Sequence, residues 1–338
     1  MDSRDIAKLA GVSRSTVSRV INNHPSVSVD TRAKILKIIK DQGYVPDSSA
    51  RALVGKQNNI IGLFIINADG SDEAGIFSSN YYSPFTAAVI DEANKNDYQV
   101  LVSLQKSKAD YEQARKLLRN KSINAAIFVG AEDNSVELKK LINDGYCVAL
   151  VDQSLLSTNK NNNAVVINSN NLFGSYEATN YLINCGHKQI AHITGNLKKL
   201  SGLQRYEGYI NALKDNNIVL NDKLIIESDF SEQGGYISTK KLLQTQDVDA
   251  IFIANDSMAL GALKALNELR IKVPENIAIV GYDDIDIARY LGLSTVRASI
   301  HEMASVAVKQ LINIIEGKLI NSVSNVVDCK LIIRKTSK

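Results

Sequence analysis

The spacing of apolar positions changes character once along this chain, near residue 59. Before that point apolar residues recur every three or four positions: Ile6, Leu9 and Ala10, then Val17, Val20 and Ile21, then Ile35, Leu36 and Ile39. Each set falls on one face of a helix, so the pattern predicts three short amphipathic helices. Gly11 ends the first, because glycine takes the left-handed turn at least cost. Ser13 is a good N-cap for the second, and the third runs from about Ser28 to Gly43. Beyond residue 59 the apolar residues gather into short continuous runs. Residues 60–66, 99–103, 125–129 and 147–151 form one set of predicted strands; 164–167, 190–194, 224–226, 250–253 and 277–280 form a second. Helical stretches separate most of them. Strands apolar on both faces predict mostly parallel sheets covered by helices, an α/β class. Nine such units are many for one open sheet, so two Rossmann-like parallel-sheet subdomains with a cleft between them are expected.

The second helix carries a polar face of Arg14, Ser15, Ser18, Arg19 and Asn22 opposite its apolar stripe. Helix, glycine-centred turn, helix is the arrangement whose second helix enters the DNA major groove. Arg14 can donate two parallel hydrogen bonds to guanine, Ser15 and Ser18 can reach bases or phosphates, and Asn22 can bond base edges or backbone. Arg19 suits a phosphate, and Tyr44 can also reach the DNA backbone. The periodicity alone is equally compatible with an ordinary three-helix bundle.

Charge sharpens the picture. Residues 1–58 hold ten Lys/Arg against five Asp/Glu, whereas the whole chain nets only +3. A basic head on a mildly acidic body suits a polyanion bound at one end, although such a surplus also suits a solvated face. Cys147, Cys185 and Cys329 are odd in number, far apart and without CxxC spacing, and are expected to be buried, reduced thiols. The polar N-terminus and the absence of a membrane-length apolar run predict a cytoplasmic protein. No GxSxG, HExxH, Walker A or GxGxxG pattern occurs, so no catalytic residue, metal or cofactor is expected.

In the body, ligands of open α/β sheets sit beyond the carboxyl ends of the strands. There the chain has Asp152, Asn255-Asp256 and Tyr282-Asp283-Asp284, with Arg205 opening a helical stretch and Tyr81, Tyr82, Phe85 and Phe230 as aromatic candidates. Carboxylates, an arginine and ring faces are the means of gripping a polyhydroxylated ring. Each also has a plainer role: Asp256 as the cap of a helix starting at Ser257, Asp283 and Asp284 as turn residues, Tyr81 and Tyr82 as surface aromatics, Arg205 as a structural ion-pair member.

Several ordered stretches resemble the lactose-repressor (LacI/GalR) family of bacterial transcription regulators. Residues 5–13 (DIAKLAGVS), 16–22 (TVSRVIN), 43–46 (GYVP) and 49–53 (SARAL) match its headpiece. Residues 186–195 (GHKQIAHITG), Arg205 with Gly208-Tyr209, 252–262 (FIANDSMALGA), Val273-Pro274 and 281–284 (GYDD) match its core, so the likeness spans nearly the whole chain. The resemblance implies a helix-turn-helix headpiece over 1–46, a hinge helix and linker over 47–58, and a periplasmic-binding-protein-like core over 59–338. Within the core it implies an N-subdomain of about 59–163 and 292–325 and a C-subdomain of about 164–291 and 326–338.

It further implies DNA contacts from Ser13, Arg14, Ser15, Thr16, Ser18, Arg19, Asn22, Tyr44, Ala50 and Leu53. Leu53 matches the wedge inserted between base steps, and seven hinge residues are too few for a stable isolated helix. Effector contacts fall to Tyr81, Tyr82, Asn170, Arg205, Phe230, Asp256 and Asp283, while His187 is expected to be structural. The implied partners are pseudo-palindromic operator DNA, a small effector (most simply a sugar) and a second copy of the chain, with no membrane. The expected function is a repressor of carbohydrate-utilisation genes. Alternatives are a purine- or other metabolite-responsive corepressor type, or a solute-binding protein without DNA function. Two departures stand out: Asn170-Asn171 where the family often has Asp-Asn, and Ala298-Ser299 where Gln-Pro is frequent.

Overall fold

A computed structural model describes residues 2–21, 24–43, 59–66, 79–105, 108–154, 163–318 and 323–338. The head contains α1 (Ser3–Ala10), α2 (Arg14–Ile21) and α3 (Val29–Asp41). Asp2 and Asp5 form a capping box at the start of α1, and Gly11 closes it at φ +67°. Ser13 Oγ accepts from the Thr16 amide at 3.1 Å, as an N-cap should. Ser28 does the same for α3 through Thr31. Ile6, Val17 and Ile35, one from each helix, are fully buried against one another. Each such burial stabilises by roughly 1.5–3 kcal/mol. Leu9 and Leu36, expected inside, are instead 53% and 49% exposed. Ala7 on α1 and Ile38 on α3 take those places. A 3.6-residue period defines an apolar stripe but not which flank of it meets the neighbouring helices.

The core alternates strand and helix. Its first part runs β1 (Ile60–Ile66), α4 (Tyr82–Lys95), β2 (Gln99–Gln105), α5 (Lys108–Arg119), β3 (Ala125–Val129), α6 (Val136–Asn143), β4 (Val148–Val151) and β5 (Ala164–Ser169). The second runs α7 (Asn171–Asn184), β6 (Ile190–Ile193), α8 (Leu200–Asp215), β7 (Ile225–Ile226), α9 (Glu232–Thr245), β8 (Ala250–Ile253), α10 (Asp256–Glu268), β9 (Ala278–Asp283), α11 (Asp286–Leu291) and β10 (Ser294–Ala298). Then α12 (Ile300–Ile315) and β11 (Val323–Val327) return to the first part, and β12 (Cys329–Ile332) to the second.

Two six-stranded sheets result, ordered β11-β5-β4-β3-β1-β2 and β12-β10-β9-β8-β6-β7. Every pairing is parallel except β10 with β12. Helices cover both faces, as the apolar strands require: α4 and α12 against one face of the first sheet, α6 and α5 against the other. In the second sheet α9 to α11 cover one face, α7 and α8 the opposite one.

The chain crosses between subdomains at other points than expected. Residues 164–169 pair with β4 and belong to the first sheet, not the second. Residues 294–298 pair with β9 in the second sheet, not the first. The crossings fall at Asn170, Ser299 and Asp328, each just after a strand. Hydrogen-bond pairing decides a strand's sheet, and an apolar run buried on both faces fits either one. Strands β10, β11 and β12 were not among the predicted strands; each is only four or five residues long.

Candidate functional site

The exposed side of α2 presents Arg14, Ser15 and Arg19, with Thr16 and Ser18 half-buried. Val17 and Val20 anchor the opposite side in the head's interior. Ser13 Oγ is partly occupied as a cap and lies 2.7 Å from Ser15 Oγ and 2.9 Å from Thr16 Oγ1. Arg14 Nε donates to Ser3 Oγ at 3.0 Å, which orients the guanidinium from α1. Asn22, Tyr44, Ala50 and Leu53 lie outside the described residues, as does the whole 47–58 segment.

A cavity of about 280 Å³ lies between the two subdomains, beyond the carboxyl ends of β3, β4, β8 and β9. Tyr81, Tyr82 and Asp152 line it from the first subdomain, and Arg205, Phe230 and Asp283 from the second. The two sides touch at the rim. Asn80 Nδ2 donates to Ser257 Oγ at 3.2 Å, and the Asp133 amide donates to the Lys198 carbonyl at 2.8 Å.

Arg205 is 4% exposed and its guanidinium is held on several sides. Nε donates to Asn171 Oδ1 at 3.0 Å and Nη1 to the Ala254 carbonyl at 2.6 Å. Nη2 stands 3.4 Å from Asp283 Oδ1. The Tyr282 ring packs beneath it at 3.7 Å and Phe230 flanks it at 5.9 Å. Burial works against the charge of Arg205, yet the neighbouring carboxylates hold its pKa above the ordinary value. Burial pushes Asp283 up to about 6, with Arg205 opposing, and raises Asp152 as well. The Tyr81 hydroxyl is buried without a hydrogen-bond partner, and Asp283 Oδ1 has the 3.4 Å ion-pair contact with Arg205 but no shorter hydrogen bond. An unpaired buried polar atom is costly, so the Tyr81 hydroxyl is open to a ligand.

The wall is also strained. Asp152, Phe230 and Asp283 have φ of +54°, +71° and +106°, a region that residues with side chains rarely enter. Such conformations persist where the surrounding packing over-determines them, and they cluster at ligand sites.

Five of the seven expected effector residues thus meet at one cavity. Asp256 does not. It is fully buried, Oδ1 accepting from Thr295 Oγ1 at 2.7 Å and Oδ2 from the Ile285 amide at 3.0 Å. Nor does it cap the helix: Asn255 does, accepting from the Met258 amide at 2.9 Å. Asn170 sits at the first crossing outside the cavity lining, and its neighbour Asn171 is the one that orients Arg205. Lys199, Ser201 and Ser257 line the cavity and were not among the candidates, whereas Asn255, named beyond a strand end but given no effector contact, does line it. Ser201 precedes Arg205 by one helical turn, a spacing that could have flagged it. Cys185 is exposed and Cys147 and Cys329 are half-buried, against the expectation of buried thiols, although all three are free. His187 Nδ1 lies 3.6 Å from Asp249 Oδ1, a structural placement.

Residues 4–47 match the family described as "Bacterial regulatory proteins, lacI family", and residues 179–337 match "Periplasmic binding protein-like domain". The ribose operon repressor of Haemophilus influenzae is 31% identical over 344 residues, covering 98% of this chain and 97% of that protein. This chain belongs to the lacI family of bacterial regulatory proteins. The transcriptional repressor PurR of Histophilus somni is 32% identical over 316 residues, covering 92% of this chain and 90% of its own.

Among solved structures of the family, the Lac repressor dimer bound to operator and the anti-inducer ONPF superposes with a TM-score of 0.81 at 26% identity, covering 98% of both chains. The complex of the transcriptional regulator CelR with cellobiose gives a TM-score of 0.76 at 26% identity, covering 99% of both. Membership makes the three-helix head a helix-turn-helix DNA-binding unit rather than a generic bundle. No described helix is long and apolar enough to cross a membrane.

Proposed function

We propose that this chain is a cytoplasmic, homodimeric transcriptional repressor whose affinity for operator DNA is set by a small sugar bound between its two core subdomains. In this reading α2 enters the major groove with Arg14 against a guanine edge and Arg19 on a phosphate. The effector occupies the cavity, hydrogen-bonded by Arg205, Asp283 and Asp152 and covered on its C–H faces by Tyr81, Tyr82 and Phe230. The protein binds and releases it without chemistry, so Arg205 and the carboxylates act as grips, not as catalysts.

The observation that carries the reading is a buried Tyr81 hydroxyl without a hydrogen-bond partner and, across a cavity walled by both subdomains, Asp283 with its Oδ1 held by Arg205 at 3.4 Å. A molecule that joins them ties the subdomains together. Its binding therefore differs between open and closed forms, which is what a coupling free energy between two sites requires. The sugar-linked names of a relative and a structural neighbour, the ribose operon repressor and CelR with cellobiose, support a carbohydrate effector. The likeness to PurR keeps the opposite sign of coupling in view, in which a metabolite strengthens DNA binding.

The test is a selection of genomic fragments by the purified full-length chain, followed by titration of the selected fragment with and without sugars. A preferred fragment released by a sugar is the expected result. Tightened binding would favour the corepressor form, and no preference over random duplex would overturn the reading.

A further inference from the structure

The charge balance of the cavity wall narrows the effector, on the reading that the cavity is the effector site. Four carboxylates line it, Asp152, Asp229, Glu232 and Asp283, against two cations, Lys199 and Arg205. The inner cation is already engaged: three of its nitrogens face Asn171, the Ala254 carbonyl and Asp283. The innermost carboxylate, Asp283, is 6% exposed, and its Oδ1 has a 3.4 Å ion-pair contact with Arg205 Nη2 but no shorter, well-formed hydrogen bond. On the facing wall Asp152 takes a long contact from Asn171, at 3.5 Å, and a backbone hydrogen bond from Ser169.

The wall therefore offers acceptors that need donors. A phosphate dianion or a carboxylate brings acceptors and negative charge, and no cluster of cations waits for it. Hydroxyl groups bring the donors, and aromatic rings at Tyr81, Tyr82 and Phe230 cover the apolar faces that such a ring presents.

We infer that the effector is a hydroxyl-rich molecule carrying no phosphate or carboxylate, and that the cavity excludes phosphorylated sugars and sugar acids. Phosphorylation converts a ligand of this protein into a non-ligand. The repressor would then sense a sugar before, not after, the class of reaction that attaches phosphate to it.

The test measures binding of ribose, glucose and cellobiose to the full-length protein by thermal shift and calorimetry, each beside its terminal phosphate ester and its aldonic acid. A neutral sugar should bind, with its phosphate ester at least about tenfold weaker, a gap of about 1.4 kcal/mol or more. Asp152→Asn should shrink that gap, because it removes wall charge without removing bulk. Tighter binding of a phosphate ester or acid overturns the inference, as does a panel in which no neutral sugar binds. A gap untouched by Asp152→Asn overturns its electrostatic basis. The operator titration separates the two readings. An anion that binds and shifts operator affinity sinks the charge rule but leaves the sugar-controlled regulator standing. A neutral sugar that binds without shifting operator affinity supports the charge rule and sinks the regulator.

Discussion

The Arg205 guanidinium lies flat enough on the Tyr282 ring to bring its carbon within 3.7 Å of the ring centre. The hydroxyl of that same Tyr282 is 3.1 Å from Cys329 Sγ, which in turn is 3.0 Å from Ser169 Oγ. Ser169 ends β5 in the first sheet and Cys329 begins β12 in the second, so both lie beside points where the chain crosses between subdomains. The guanidinium proposed to grip the ligand is thereby packed onto a side chain hydrogen-bonded to Cys329, beside a crossing between the subdomains.

Cys329→Val puts a somewhat larger apolar side chain there and removes the thiol from this connection. Two polar hydroxyls lose a partner, so stability should fall by about 1–3 kcal/mol. Effector affinity should stay near wild type while the change it causes in operator affinity shrinks. Operator titrations with and without effector check this; unchanged coupling would make the thiol a packing group only.

Asp256→Ala should act on stability, contrary to what a place in the ligand wall would imply. It leaves Thr295 Oγ1 and the Ile285 amide without their buried acceptor. The expected loss is about 1–3 kcal/mol in urea unfolding, with the effector dissociation constant changed little. A selective loss of effector binding would return Asp256 to the site.

Asp283 makes a pH prediction with a definite sign. Burial raises its carboxyl from 3.8 to about 6. A group raised on folding adds stability that is complete below its unfolded pKa and is lost as pH rises through its folded one. The gap is worth about 3 kcal/mol. His192, lowered by burial from 6.5 to about 4, works oppositely: its contribution is present above 6.5 and lost as pH falls through 4. Comparing wild type with Asp283→Asn cancels His192. The variant should gain on wild type by up to about 3 kcal/mol between about pH 4 and pH 7, and a flat difference across that window would refute the shift.

Gly195 supports Phe230. A Cβ at Gly195 would overlap the Phe230 ring, which already sits at φ +71°. Gly195→Ala should cost about 1–3 kcal/mol by overpacking and weaken effector binding. Combining it with Phe230→Leu should recover part of the stability, a coupling that a double-mutant cycle reads directly.

Arg14→Ala should weaken specific operator binding by about 1–3 kcal/mol and relax base preference at one position. The side chain is exposed and makes one hydrogen bond, to Ser3, so the melting temperature of the head should barely move. Equal weakening on operator and random duplex would assign Arg14 to a phosphate instead.

Local pattern was enough for much of this protein. Caps at Ser13 and Ser28, the left-handed stop at Gly11 and the apolar runs of the nine expected strands depend on neighbours within a few residues, and all are legible in the chain. The ordered motifs carried the family and brought Tyr81, Tyr82, Arg205, Phe230 and Asp283 together in advance. Tertiary structure alone decided which sheet residues 164–169 and 294–298 join, which flank of α1 and α3 turns inward, and where a buried carboxylate points. Asp256 and Asp283 illustrate the last case: both lie at the carboxyl ends of strands, yet one bonds inward to Thr295 and the other faces the cavity. The reason is range. Caps and periodicity are set by contacts a few residues apart, whereas strand pairing and carboxylate orientation are set by partners 29 and 39 residues away or more, as for Asp256 with Ile285 and Thr295, and one chain's local pattern does not encode which distant partner wins.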